Sequence, residues 1–287
     1  MSMTPTRTTV LPVLTTAALL GFATAPAAHG SINGVAGLTT FSAAGSNPAA
    51  IQSTVDDFRN ELGDLNPFTP EAFADGRRQI NWDAAPAAIS SPNPFPGDFF
   101  NFGASPRARG IEFSTPGTGF ALSGDADDGT AIRFADINPT YEDEFQAFSE
   151  ERLFTPRGSN ITRVDFFTPA DQTTPATTDG FGAVFVDVDL ADTTKLEYYG
   201  LGSQLLYTQY VEAADEGLSF AGVAFDSSVL SYVVITTGNF DIGPTDGAFG
   251  YDVVVMDDFI FGEPVPEPAT AALLGLGALA MLRRRHA

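Results

Sequence analysis

Short apolar segments separated by glycine, proline, asparagine and aspartate fill most of the chain after residue 110, and they restrict the fold more than any other feature. In the clearest segment, 183–190, two sets of residues alternate: Val184, Val186, Val188 and Leu190 on one face, and Phe185, Asp187 and Asp189 on the other. A period of two is typical of a β-strand, and many short strands in succession favour a sandwich over a βαβ array. The sequence therefore predicts a mainly β protein, with an antiparallel β-sandwich or jelly-roll-like domain over about 111–261.

The segment before this region has a different pattern. An apolar stripe at helical spacing, formed by Ile51, Val55, Phe58 and Leu62, predicts one N-terminal amphipathic helix over about 46–62 that packs against the sheet. Ser46 is suited to the N-cap and Gly63 to the C-terminal stop. From the helix to about residue 110 the chain is rich in proline, so we expect a loop-rich wrapping segment rather than a separate domain.

The chain is strongly acidic, with a net charge of −22 at pH 7. All of its aspartates and glutamates except Glu267 lie within 31–263, where Lys195 is the single lysine. Nucleic-acid binding needs lysines and arginines that neutralise phosphates, so we expect no nucleic-acid partner. The excess of carboxylates fits either solubility outside the cell or the binding of Ca²⁺ by some of them.

The side chains that usually carry catalysis are scarce. The chain has no cysteine, and its two histidines, His29 and His286, lie outside 31–263. Thiol catalysis, a Ser-His-Asp triad and histidine-ligated zinc are therefore excluded within that domain. A glycosidase needs only two carboxylates, but a chance pair is certain in so acidic a chain. We expect a protein that is not an enzyme, with a carboxylate-pair glycoside hydrolase as the alternative.

Two pairs of aspartates are candidate metal ligands. Asp187 and Asp189 lie two residues apart on a predicted strand and so share a face, while Asp257 and Asp258 lie near the last strand. Adjacent carboxylates repel each other unless a cation lies between them. We predict a Ca²⁺ site to which some of these four aspartates contribute; the alternative is a solvated acidic face with salt bridges to arginines.

Arg77, Arg78, Trp82 and Asp83 combine positive charge, the single indole of the chain and a carboxylate. Sugars commonly stack on an aromatic ring and bind planar polar groups, so these residues form a candidate ligand site. The alternative is that Trp82 belongs to the core and the arginines neutralise nearby acids. An exposed Trp82 in a groove would favour sugar binding, whereas a buried Trp82 would count against it.

The N-terminus has the layout of a secretory signal: Arg7, an apolar stretch over 10–22, and then small residues. Ala25-Pro26-Ala27 and Ala28-His29-Gly30 both offer small residues at the −3 and −1 positions of a cut. We predict that 1–30 is a signal peptide cut by signal peptidase within 25–30, with a retained anchor as the alternative.

The C-terminus has three parts in order. Val265-Pro266-Glu267-Pro268 opens a motif over 265–270, an apolar stretch covers 269–282, and Arg283-Arg284-Arg285 follows. The prolines keep the motif extended. As a helix, 269–282 spans about 21 Å, less than the roughly 30 Å of a bilayer core, so we predict a marginal transmembrane helix. The arginines stop translocation and stay cytoplasmic, leaving the domain outside.

Residues 264–287 resemble the PEP-CTERM sorting signal. The resemblance implies recognition by an exosortase-type membrane protease in a bacterium that produces exopolysaccharide. The protein would then be held in the membrane of the cell envelope by the helix until it is processed, and would afterwards lie at the cell surface or in the extracellular matrix.

Several phrases of the domain also resemble an uncharacterised family of exported bacterial proteins that often carry this tail. They are GRRQINWD over 76–83, PGDFFN over 96–101, STPGTGF over 114–120, GFGAVFVDVD over 180–189 and VMDDF over 255–259. This resemblance implies a cellular context and no particular chemistry.

Taken with the composition, the tail predicts an exported, non-catalytic protein of the surface or of the exopolysaccharide matrix. One alternative is a carbohydrate-binding module, with or without Ca²⁺, and exopolysaccharide is then the expected partner. The other is the glycan hydrolase, which requires a deep cleft with two facing carboxyl groups, one of them with a raised pKa.

Overall fold

The computed structural model describes residues 29–32, 35–243, 246 and 248–267. Within them the chain is mainly antiparallel β-structure, which confirms the predicted fold class. The strands in chain order are β1 (His29–Ile32), β2 (Val35–Gly45), β3 (Arg77–Ile80), β4 (Ile111–Ser114), β5 (Gly119–Leu122), β6 (Phe154–Arg157), β7 (Ile161–Phe166), β8 (Ala176–Thr177), β9 (Gly180–Val188), β10 (Lys195–Tyr199), β11 (Leu205–Tyr210), β12 (Ala214–Phe225), β13 (Tyr232–Thr236), β14 (Val255–Gly262) and β15 (Val265–Pro266). The α-helices are α1 (Pro48–Glu61) and α2 (Tyr141–Glu144).

Two sheets account for most of these strands. The larger has the order β1-β2-β12-β9-β14-β6-β5, with β3 paired to the remaining length of β14, and the smaller has the order β11-β10-β13-β7-β4. The larger sheet therefore includes strands that precede residue 111. The predicted start of the sandwich at 111 is wrong, because β2 pairs along β12 and β3 pairs along β14.

The sheets pack face to face over an aromatic core. The larger sheet contributes Phe181, Phe185, Phe259 and Phe261, and the smaller contributes Phe113, Val164, Phe166, Leu196, Tyr198, Val233 and Ile235. Rings of this size bury much apolar area, so phenylalanine provides much of the cohesion that cysteine-free exported domains need.

Helix α1 covers the other face of the larger sheet, as predicted. Its apolar stripe lies in a second core with Val184 and Val186 of β9 and Phe220 of β12. The ring of Phe58 rests on Gly182, where an added Cβ would come within 2.8 Å of it. The helix begins at Pro48 and Asn47 is its N-cap, so the predicted N-cap, Ser46, lies one residue too early.

The alternation predicted for 183–190 breaks at Asp187. This residue has a left-handed backbone, with φ of 65°. Val184 and Val186 face α1, but Val188 lies in the core between the sheets, on the same side as Phe185. The prediction that these three valines share a face is therefore wrong beyond Val186, because one left-handed residue in an irregular ladder reverses the side on which later side chains lie.

The end of the domain is tied down rather than free. Val265–Pro266 forms β15 and pairs with β8, at the point where the sequence predicts the start of the tail. Within the described residues, no helix is both long and apolar enough to cross a membrane. The predicted signal peptide up to residue 28, Pro268, the predicted helix 269–282 and Arg283–Arg285 lie outside those residues.

Candidate functional site

An irregularity between β9 and β12 gathers acidic side chains at one end of the larger sheet. The ladder pairs Leu218 with Val186 and then Ala214 with Val188, so Asp215, Glu216 and Gly217 all face Asp187. The N–H of Glu216 donates to Oδ1 of Asp187 at 2.7 Å. Asp187 and Glu216 both have positive φ, which is uncommon for residues with side chains.

Other elements complete a small cavity of about 140 Å³, here called the acidic pocket. It is lined by Glu144, Asp187, Asp189, Asp215, Glu216 and Asp246. Glu144 ends α2, and Asp246 lies in the segment before β14, where its Oδ1 accepts a hydrogen bond from the Val253 N–H at 2.7 Å. Among the residues that the structure describes, no aromatic or basic side chain lines the pocket.

Asp252 fixes the segment that carries Asp189. Its Oδ1 accepts a hydrogen bond from the Asp189 N–H at 3.2 Å, and its Oδ2 accepts one from the Leu190 N–H at 3.4 Å. The Thr193 hydroxyl donates to the same Oδ2. Asp252 is fully buried, so this capping role takes up its hydrogen-bonding capacity and holds Asp189 at the pocket.

Carboxylates at the pocket form three overlapping sets of three, each close enough to hold a cation. In the sets Glu144–Asp187–Asp246, Asp187–Asp189–Asp215 and Asp189–Asp246–Asp252, one ligand oxygen from each residue lies within 4.8 Å of the others. Within the described residues, none of the six residues that line the pocket forms a salt bridge to arginine or lysine. Oδ1 of Asp189 and Oε2 of Glu144 are buried without a hydrogen-bond partner.

Burial raises the pKa of both Asp187 and Asp189, and the charge of Asp246 adds to the effect. Asp187 is only 1% exposed, so its ionised form loses nearly all of its hydration. Such a group either keeps a proton or is compensated by a cation. Several carboxylate oxygens around a small cavity are the ligands that Ca²⁺ takes in proteins. The Ca²⁺ prediction for Asp187 and Asp189 stays a prediction, now with Asp246 and Glu144 as further candidate ligands.

Asp257 and Asp258, the other two aspartates of the Ca²⁺ prediction, do not line the acidic pocket. They lie in a bulge of β14 between Met256 and Phe259. Oδ2 of Asp257 accepts a hydrogen bond from the Phe148 N–H at 2.6 Å, and Asp258 forms an ion pair with Arg59 at 3.0 Å. Burial raises the pKa of both carboxyls, and these partners limit the rise.

In the candidate sugar site, Trp82 and Arg78 are buried and have partners within the protein. Trp82 is 1% exposed, its Nε1 donates to the Asp257 carbonyl at 2.8 Å, and its ring stacks on Phe154 at 4.2 Å. Nε of Arg78 forms a buried ion pair with Glu263 at 2.6 Å. The burial of Trp82 counts against an exposed groove for stacking a sugar on the indole.

The other two residues of that set also have structural partners. Arg77 donates to the carbonyl of Gly63 at the end of α1. Oδ1 of Asp83 accepts a hydrogen bond from the Arg152 N–H at 3.3 Å, and burial raises the pKa of Asp83 to about 6. Arg77 and Arg78 are neighbours on β3, so their side chains leave opposite faces of the strand.

The sorting motif begins on the surface of the domain. Val265 and Pro266 pair with Thr177 and Ala176, and the Glu267 N–H donates to the Pro175 carbonyl at 3.2 Å. Pro266 is exposed. The backbone of the motif is therefore extended, as its prolines require, and it starts directly after the buried Glu263.

The fold and the C-terminal sequence together define a class of protein: an antiparallel β-sandwich followed by a short C-terminal sorting signal. The family model for the PEP-CTERM protein-sorting motif matches residues 264–285, which confirms the sequence-based identification of the tail. The motif indicates an exported protein of the cell envelope that is sorted by an exosortase. Among curated proteins, none matches the chain.

Proposed function

We propose that the domain is a non-catalytic component of the cell surface or of the exopolysaccharide matrix, to which its tail delivers it. The match of the sorting motif over 264–285 carries this proposal. The motif follows Glu263 directly, and Glu263 is anchored by Arg78, so the described start of the motif, 264–267, is attached to the sandwich. After cleavage near Pro266–Pro268 the domain would leave the membrane and stay in the extracellular matrix.

The absence of catalysis is supported by residue types. Between residues 31 and 263 the chain has neither histidine nor cysteine. The carboxylates that it brings together at the acidic pocket line a cavity of about 140 Å³, and among the described residues no aromatic side chain lines it as a platform for a sugar ring. A glycosidase needs room for a sugar between its two carboxylates, so this pocket suits a cation better than a glycan.

The acidic pocket favours one variant of the proposal, a calcium-dependent binding module. Buried Oδ1 of Asp189 and Oε2 of Glu144 have no hydrogen-bond partner, and burying an unpaired carboxylate oxygen is costly. A Ca²⁺ ion held by Asp187, Asp189 and Asp215, one of the close sets, would give Asp189 a partner and would fix the β9–β12 irregularity, which presents Asp215 and Glu216 at the surface.

The test follows the protein in a host that produces exopolysaccharide and has an exosortase. Wild type and the variant Pro266→Ala/Pro268→Ala are compared by fractionation into membrane, matrix and medium and by mass spectrometry of the C-terminal peptide. The proposal expects tail-free wild type to co-purify with exopolysaccharide and the variant to stay in the membrane with Arg283–Arg285 intact. Pro116→Ala, in the exposed β4–β5 turn, is the matched control and should behave as wild type.

Three results would count against the proposal. An intact tail on all wild-type protein would contradict processing. Tail-free protein that stays free in the medium when exopolysaccharide is present would contradict a matrix role. New reducing ends released from that polysaccharide by wild type, and lost in Asp187→Asn, would show that the domain is an enzyme.

A further inference from the structure

A second cavity, of about 220 Å³, lies beside Trp82 and has a different character. Its walls are the rings of Trp82, Phe99 and Phe100, small residues and prolines over 84–86 and at Pro106, and the side chains of Arg107 and Arg109. Pro106 is exposed and Arg107 is half-buried, so the cavity reaches solvent at that end. We call it the arginine cavity.

Arg109 is the unusual member of this set. It is only 7% exposed, and its guanidinium stacks on the rings of Phe68 and Phe100, with centroid distances of 4.1 and 4.5 Å. Its Nε is buried without a hydrogen-bond partner. In the described part of the chain, no side-chain nitrogen of Arg109 donates a hydrogen bond and no carboxylate pairs with it.

Other buried arginines show what is missing at Arg109. Arg78 is also buried, but it donates to both oxygens of Glu263, at 2.6 and 2.8 Å, and to the Ala108 carbonyl at 2.6 Å. Arg152 is also buried, and it donates through Nη1 to Ser90 and to the Ser123 carbonyl and pairs with Asp125 at 3.7 Å. Arg109 has aromatic partners for its faces and none for its edge.

The edge of a guanidinium carries the N–H groups, which point in the plane of the group and fit a carboxylate bidentately. Stacking on rings stabilises the positive charge but leaves these donors unpaired. Burial, with a smaller contribution from the nearby charge of Arg78, lowers the pKa of Arg109 to about 10. A buried cation without a counter-charge is costly, and a bound anion would offset that cost.

The remaining walls restrict the body of that anion. An apolar cavity of about 150 Å³ holds a benzene molecule, so the arginine cavity has room for one ring and a carboxylate. The polar side chains among its described lining residues are the two arginines and the indole of Trp82, all of them donors, so they offer no side-chain acceptor to the hydroxyl groups of a neutral sugar. A free inorganic anion would leave the aromatic walls uncovered.

We propose that the arginine cavity binds a small aromatic carboxylate, with its ring against Trp82 and Phe100 and its carboxylate on the edge of Arg109. Arg107 stacks between Phe99 and Phe102 at 4.0 Å from each ring centroid and donates through Nε to the Phe99 carbonyl at 2.8 Å. It adds positive charge at the open end and would draw an anion inward. This site is independent of the surface role proposed above.

Trp82 is the only tryptophan of the chain and lines the cavity, so its fluorescence reports on occupancy. The exported protein, as its host produces it, is titrated with phenylacetate, with the neutral isostere phenylacetamide and with inorganic phosphate. We expect a saturable change with phenylacetate and binding of the amide weaker by about tenfold or more, the factor expected for a charge-assisted hydrogen bond. Phosphate should not compete at the same concentration.

Arg109→Met removes the charge while keeping the length of the side chain, and should abolish the preference for phenylacetate over phenylacetamide. Arg163→Met is the matched control, because Arg163 also stacks on a ring, that of Tyr232 at 3.6 Å, but lies outside the cavity. Equal affinity of wild type for the acid and the amide would overturn the role of Arg109 whether or not the variant folds. The proposal also fails if phenylacetate produces no saturable change, or if phosphate displaces it.

Discussion

Replacing Arg78 by methionine separates the two roles considered for this residue, ligand binding and structure. In wild type the guanidinium donates to Glu263, at 2.6 and 2.8 Å, and to the carbonyls of Ala108 and Glu71, at 2.6 and 2.9 Å. Glu263 is 3% exposed. In the variant, Glu263 would keep only Asn66 Nδ2 at 2.9 Å and a long bond from the Phe73 N–H at 3.4 Å.

The expected loss of stability comes from the buried carboxylate of Glu263, which loses its ion-pair partner. Removing one partner of a buried ion pair typically costs about 3–5 kcal/mol. We expect Arg78→Met to lower the free energy of unfolding by about 4 kcal/mol, within this range. The double variant Arg78→Met/Glu263→Met leaves no buried charge without a partner. Its free energy of unfolding should therefore fall by less than the sum of the two single-variant losses, with a coupling of about 2 kcal/mol.

Urea unfolding followed by the fluorescence of Trp82, which lies in the core, measures these differences. Arg163→Met serves as the control, since the Arg163–Asp165 pair is 40% and 30% exposed and its loss should cost less than about 1 kcal/mol. An Arg78→Met variant within about 1 kcal/mol of wild type would refute the structural role. It would also restore Arg78 as a candidate ligand-binding residue.

Two further predictions concern carboxylates. Ca²⁺ at about a hundred times its dissociation constant should stabilise wild type by about 2.7 kcal/mol, seen as a rise in melting temperature that a chelator reverses. Asp189→Asn should blunt this rise while Asp165→Asn keeps it, and no shift at millimolar Ca²⁺ would argue against the site. Burial raises the pKa of Asp179 from 3.8 to about 6. The folded state then binds the proton more tightly than the unfolded state, so stability should fall as pH rises from about 4 to about 6. Asp179→Asn should remove the contribution of this residue, which makes the slope shallower, and should add about 1–2 kcal/mol at pH 7, with allowance for partial exposure; an unchanged slope in urea unfolding across that pH range would refute it.

Local patterns in the sequence were sufficient for the elements they encode. The stripe from Ile51 to Leu62 predicts α1, and the motif at 265–268 predicts the tail, because both depend on spacing along one segment. Strand β2 was not predicted, because its sequence VAGLTTFSAAG consists mostly of small residues and shows no clear alternation of apolar and polar positions. It becomes a strand by pairing along β12, an interaction between residues far apart in the chain.

The candidate sites were less predictable for the same reason. Asp187 and Asp189 stand out as a pair, but Asp246 and Glu144 come from separate segments with no signal of their own in the sequence. The left-handed backbone at Asp187 also has no signature there, since aspartate adopts that conformation less readily than glycine. The sequence showed that carboxylates were abundant, and only the tertiary structure shows which of them meet.

Which charged groups have partners is what distinguishes structural roles from candidate binding roles in this domain. Asp252 and Asp258 are buried, and each is engaged by backbone N–H groups, a hydroxyl or an arginine. Oδ1 of Asp189 and Nε of Arg109 are buried and have no hydrogen-bond partner. A folded protein tolerates few such groups, because each forfeits its hydration without a replacement. A cation in the acidic pocket and an anion in the arginine cavity would each supply the missing partner, so the two sites should stabilise the fold when they are filled, independently of each other.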